Sequence, residues 1–129
     1  MIRKYSKKGL EKRKSERECL PEFFKKHIEI ARGKCCEECG NKLKGNVSEI
    51  AHVLPKSYFK SVMCNDLNVL YLCGMYSEKQ CHSNYDTWSA EKVKEMNIFT
   101  KVELIFKELE KEIIEKINYK VYERYTREE

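Results

Sequence analysis

Cys36-Glu37-Glu38-Cys39-Gly40 is the stretch on which the reading of this chain turns, and Cys73 with Cys81-His82 answers it further along. Two residues between Cys36 and Cys39 let one tight turn aim both sulfurs at a single ion. Gly40 permits the backbone conformation such turns often need. Zinc favours four tetrahedral ligands and soft thiolates, so Cys36, Cys39, Cys73 and Cys81 form a candidate structural zinc site. Seven residues separate Cys73 from Cys81, wider than the usual two or four, and the loop between them must bulge out. Cys35 competes with Cys36 for a place in the set, and His82 with Cys81. A site of this kind supplies on the order of 10 kcal/mol of folding free energy.

The bulk composition makes such a staple useful. The chain has 129 residues, 36% of them charged, which is enough for one domain with a modest core. Mean hydropathy is −0.72, and no apolar run is long enough to span a membrane. The opening residues are charged, lack an apolar core segment and are not expected to be a secretory signal. Seven cysteines are an odd number, and two lie in a C-x2-C turn, so metal ligation in a reducing cytoplasm is expected rather than disulfides. Cys19, Cys35 and Cys64 are then left as free thiols.

Residues 1–20 read as a basic arm. Arg3, Lys4, Lys7, Lys8, Lys12, Arg13, Lys14 and Arg17 face only Glu11, Glu16 and Glu18, a local balance of +5 that equals the whole net charge. Such an arm neutralises phosphates and gives salt-dependent, sequence-blind affinity for nucleic acid; the plainer alternative is a solvated tail. Pro21 suits the first turn of a helix, and Phe23, Phe24, His27, Ile28 and Ala31 share its apolar face until Gly33 ends it. His27 on that stripe reads as a packed core histidine. The run 47–54 reads as a strand ended by Pro55 and the run 69–73 as a second strand. A helix is expected to begin near Cys81, carrying His82 and Asp86 on one face. From Val93 to Tyr125 apolar residues recur every three or four positions. This predicts one long amphipathic helix over 91–129, packed on the domain 21–90, with homodimerisation through it as the minority reading. Trp88, Tyr58, Tyr71, Tyr76 and Tyr85 are candidates for base contacts, though such residues are more often core or rim.

The order His52, Asn68, His82 within the cysteine knuckle resembles the HNH endonuclease family, over about 50 residues from Cys36 to Asp86. Ala51-His52-Val53-Leu54-Pro55 looks like the family's first-strand motif. Asn68-Val69-Leu70-Tyr71-Leu72-Cys73 looks like its N-L-x-x-L-C segment, and Cys81-His82 like its Cys-His pair at the start of a helix. The resemblance implies an α+β fold: a small ββα-metal finger with a structural zinc, flanked by an N-terminal helix and a long C-terminal helix. It also implies a metal-dependent DNA endonuclease, of the compact kind found in phages and mobile elements and working in the host cytoplasm, that cuts duplex or branched DNA. His52 is then the general base, an imidazole able to take a proton from water. His82 is a ligand of a catalytic divalent ion, with Asp86 four residues on pointing the same way. A His/carboxylate pair suits Mg2+ or Mn2+. Asn68 braces the loop between the strands and orients His52, or touches the metal. Many family members carry a ligand immediately before the base; here that position is Ala51, and Glu49, two residues earlier, is the candidate substitute. The second function class is a non-catalytic zinc module that binds nucleic acid or a protein partner. It needs only the cysteines and the arm.

Overall fold

A computed structural model describes residues 17–117 and 119–127. The arm residues Arg3, Lys4, Lys7, Lys8, Lys12, Arg13 and Lys14 lie outside the described residues. The class is α+β: helices around one small antiparallel sheet. Helix α1 (Leu20–Ala31) carries Pro21 in its first turn and buries Leu20, Phe23, His27 and Ala31. Strands β1 (Ile50–Ala51) and β2 (Leu70–Tyr71) pair Ile50 with Tyr71 and Ala51 with Leu70. All four are buried, so this two-rung sheet is a core element covered by α1 on one side. Helices α2 (Cys81–Thr87), α3 (Ala90–Lys94), α4 (Phe99–Leu109) and α5 (Tyr119–Tyr122) follow. Among the described residues no helix is long and apolar enough to cross a membrane.

Three expectations are corrected. The first strand is shorter than the run 47–54, because Val47–Glu49 is a 3-10 turn. Asn46 accepts the Ser48 amide at 3.0 Å, and Glu49 accepts the Asn46 amide at 3.0 Å. These reciprocal side-chain bonds offer the backbone a helical turn in place of a strand. The second correction concerns the C-terminal segment, which is not one long helix. It breaks at residues 95–98, where the Glu38 carboxylate accepts the amides of Asn97 (3.1 Å) and Ile98 (3.0 Å). A side chain 60 residues away thus holds the turn that precedes α4. It breaks again after Glu110–Glu112, where Glu115 takes the Ser61 amide at 2.5 Å and its hydroxyl at 2.6 Å. Val102, Ile105, Phe106 and Leu109 still turn into the core, and Tyr125 joins them. The apolar periodicity survives because successive short helices bury the same side.

Third, Cys19 and Cys64 are not free thiols; they form a disulfide, with Cα atoms 6.2 Å apart. The segment after Lys60–Val62 folds back on α1, where Asp66 also meets Lys26 (2.6 Å) and His27 (3.1 Å). Cys35 alone of the three remains a thiol, and it is exposed. His27 is a packed core residue, with Nδ1 2.8 Å from the Tyr71 hydroxyl.

Candidate functional site

The sulfurs of Cys36, Cys39, Cys73 and Cys81 all lie within 4.8 Å of one another. Two separate pieces of backbone bring them together. In the first, the Gly40 amide donates to the Cys36 carbonyl (3.0 Å) and the Cys36 amide to the Asn41 carbonyl (2.7 Å), closing a tight turn. Gly40 adopts φ +81°, a conformation that a side chain would strain. In the second, the His82 amide donates to the Cys73 carbonyl at 3.1 Å, joining the end of the β2 segment to the start of α2 across the intervening loop. The pieces meet through Glu37, whose amide donates to the Tyr71 carbonyl (2.9 Å) and whose carboxylate accepts the Tyr71 amide (2.7 Å).

The donor set fits zinc. Four sulfurs about 2.3 Å from a zinc ion stand about 3.8 Å apart at tetrahedral corners, and Cys39 Sγ lies 3.7 Å from Cys73 Sγ. The Cys39 amide points at Cys36 Sγ (3.5 Å) and the Cys81 amide at Cys73 Sγ (3.2 Å), orienting sulfurs for a cation. Burial and the neighbouring sulfurs of Cys73 and Cys36 push the Cys81 thiol far up. Burial also raises Cys39. At Cys73 burial is outweighed by hydrogen bonds from Ser77 and the Cys81 amide, which lower it. Four thiolates this close need a positive charge among them, and a bound divalent ion supplies it. Cys35 and His82, the competing candidates, stand outside the cluster.

Beside the knuckle an open cleft of about 500 Å³ is lined by His52, His82, Asp86, Lys56 and Arg17, with Phe24 on its apolar wall. His52 follows β1, and its ring stacks on Phe23 at 5.0 Å between centroids. Its Nε2 lies 2.8 Å from the Met63 carbonyl. A carbonyl only accepts, so Nε2 carries the proton and Nδ1 keeps a lone pair. Burial holds His52 down at about 4; Lys56 and His82 add to the effect and the Met63 carbonyl partly opposes it. The ring is therefore neutral at physiological pH.

His82 Nδ1 is 2.6 Å from the Ser48 carbonyl, which fixes its proton in the same way. Its Nε2 lies 3.1 Å from Asp86 Oδ2, one helical turn on. A neutral imidazole would set two lone pairs against each other there, so the pair calls for a positive charge: a second proton or a cation. In the protonated state, burial opposes the charge but is outweighed by the hydrogen bonds to Asp86 and Ser48, and His82 is raised. The 3.1 Å spacing also fits a small hard ion, since octahedral ligands about 2.1 Å from magnesium stand about 3.0 Å apart.

Asn68 does not line the cleft. It is fully buried; its Oδ1 accepts the Leu54 amide at 2.7 Å, and its Nδ2 donates to the carbonyls of Leu54 and Val62, both at 3.1 Å. It is a positioning residue that pins the chain after His52 to the segment holding Met63. Glu49 is excluded as a substitute ligand. It is 4% exposed, and its carboxylate accepts the amides of Lys44, Gly45 and Asn46 at 2.9, 2.6 and 3.0 Å. Strand alternation does not apply to it, because it sits in a 3-10 turn. Ala51 is completely buried.

The sequence did not point to Ser48, whose carbonyl accepts from His82, or to Lys56 at the cleft; Arg17, a residue of the basic arm, also lines it. Asn46-Val47-Ser48-Glu49 carries a legible turn signal, a polar cap followed three residues later by Glu. Nothing local marks Lys56. No protein-family profile, no curated protein and no solved structure matches this chain.

Proposed function

We propose that the chain is a metal-dependent DNA endonuclease of the HNH type, with His52 as general base and His82 and Asp86 holding one divalent cation. The observation that carries this reading is the pairing of two imidazoles in one cleft. Each is fixed by a backbone carbonyl, so that His52 keeps an unprotonated Nδ1 and His82 presents Nε2 beside a carboxylate. A plain binding module has no need of that arrangement.

His52 takes the proton from an attacking water, whose oxygen forms the new bond to phosphorus as the bond to the 3′ oxygen breaks. His82 and Asp86 would hold Mg2+ or Mn2+, which when bound supplies charge to the phosphate and the departing oxygen. That oxygen takes its proton from solvent. Lys56 and Arg17 place positive charge at the cleft, suited to the flanking phosphates. Asn68 keeps the loop of His52 in register, and the four thiolates hold zinc away from the chemistry, with no open position. The arm residues 1–16, lying outside the described residues, add sequence-blind attraction to DNA.

The test is supercoiled plasmid with Mg2+ or Mn2+ added, and with neither, for the wild type and His52→Ala. Metal-dependent nicking lost in the variant supports the enzyme. Equal inertness of both proteins across metals and DNA structures, with DNA binding retained, would favour the non-catalytic module.

A further inference from the structure

Residues 74–80, the loop that bulges between two zinc ligands, are left over by the endonuclease reading. The ends of the loop are fixed. The Ser77 amide closes a turn on the Gly74 carbonyl at 3.0 Å, and Gln80 leaves it at φ +44°. Gly74 lies against the 3-10 turn so closely that a Cβ there would sit 2.0 Å from Ser48 Oγ and 2.8 Å from the Ser48 carbonyl oxygen. Its tip is displayed: Met75 is 66% and Tyr76 73% exposed. Two large apolar side chains are thus displayed on a loop whose ends are tied to the cysteine cluster.

Their surroundings are basic. Lys42, Lys44 and Lys79 converge with Tyr76 and Ser77 on one hollow of about 400 Å³, and the one acid lining it is Glu78. None of the three lysines pairs with a carboxylate among the described residues. Lys44 Nζ lies 5.7 Å from the centre of the Tyr76 ring, on one face. The hollow also neighbours the cleft through shared lining residues. Gly74 lines both it and a second hollow formed by Ser48, Met75, His82 and Asp86, and the last two residues line the cleft itself.

We infer that this loop, with Lys42 and Lys44, forms a second nucleic-acid-binding surface that takes an unpaired strand running out of the cleft. Stacking on an exposed ring needs a base whose face is open, which a duplex does not present. Lysines around a single aromatic track one phosphate backbone. The inference deepens the endonuclease reading and rests on it for the nature of the ligand: the substrate carries a single-stranded portion next to the bond that is cut.

The test measures binding without cleavage. Zinc-loaded full-length protein, with no Mg2+ or Mn2+, is titrated into labelled oligothymidine of about 12 nucleotides and into a duplex of equal length. Tyr76→Ala should weaken single-strand binding roughly tenfold and change duplex binding by less than about twofold, whereas Tyr76→Phe, which keeps the ring, retains wild-type affinity. Lys44→Ala with Lys79→Ala should lower the salt slope for the single strand by roughly 1.4. Wild-type single-strand affinity in Tyr76→Ala and the lysine variant, equal losses on both DNAs, or no single-strand binding by the wild type would each overturn the surface. The two readings separate cleanly. A protein that shows these binding differences but never nicks DNA sinks the nuclease and keeps the surface; one that nicks while the variants bind normally does the reverse.

Discussion

The cysteine knuckle and the cleft share their backbone and differ in everything else. Cys81 and His82 are consecutive residues of α2, yet one is buried among sulfurs and the other half-buried at the cleft. One turn of sequence thus serves a closed, soft-donor centre and an open one built from nitrogen and oxygen. The contrast follows the chemistry of the ions each set suits. Thiolates enclose zinc completely, whereas a hard dication keeps several waters and needs few protein ligands. The first region is enclosed and the second is open to solvent.

The largest expected effect belongs to the knuckle. Cys36→Ser should lose stoichiometric zinc by elemental analysis and abolish the cooperative thermal transition, a loss on the order of 10 kcal/mol of metal-linked folding energy. Folded wild-type protein without zinc would break the comparison at its root. The cleft should behave in the opposite way. On the proposed endonuclease reading, His52→Ala should cut the nicking rate by about 10²–10⁴-fold while retaining zinc and a cooperative transition, because that reading makes it a general base rather than part of the scaffold.

Asn68→Ala tests the bridge between the regions. It leaves the buried amide and carbonyl of Leu54 unpaired, while the Val62 carbonyl keeps the Asn65 amide, so chemical denaturation should show a loss of about 2–4 kcal/mol with the cysteine cluster intact. An unchanged midpoint would remove its positioning role. The smallest effect concerns acid. His52 titrates near 4 in the folded protein and at its ordinary 6.5 when unfolded, so the unfolded chain takes up the proton first as pH falls. Its contribution is intact above about pH 6.5 and is lost as pH falls toward 4. Wild type should therefore lose about 1–2 kcal/mol more than His52→Ala between neutrality and about pH 5, after allowance for partial exposure. Parallel melting curves for the two proteins would refute this.

The cysteine set was legible because two-residue spacing and thiolate chemistry are local facts; a bracing role for Asn68 was only implied by the family resemblance, beside metal contact as its alternative. What escaped was tertiary. Glu38 ties down the turn before α4 from the knuckle, so an unbroken apolar stripe concealed two breaks. Cys19 and Cys64 looked like spare thiols because nothing in their own neighbourhoods announces that the segment after Val62 returns to α1. Glu49 looked available because strand alternation was assumed where a capping turn forms. Lys56 became interesting only when the fold set it beside His52 and Asp86.

The adjacency of Cys81 and His82 has a practical consequence. If both sets hold metal, a strong chelator acts on both at once: drawing zinc from the thiolates would release Cys73 and Cys81, and with them the start of the helix that carries His82 and Asp86. Silence after chelation would therefore report collapse of the frame as readily as loss of a reactive ion. On the proposed reading, metal dependence is to be tested by supplying ions to a zinc-replete chain, with chelation serving as an assay of folding.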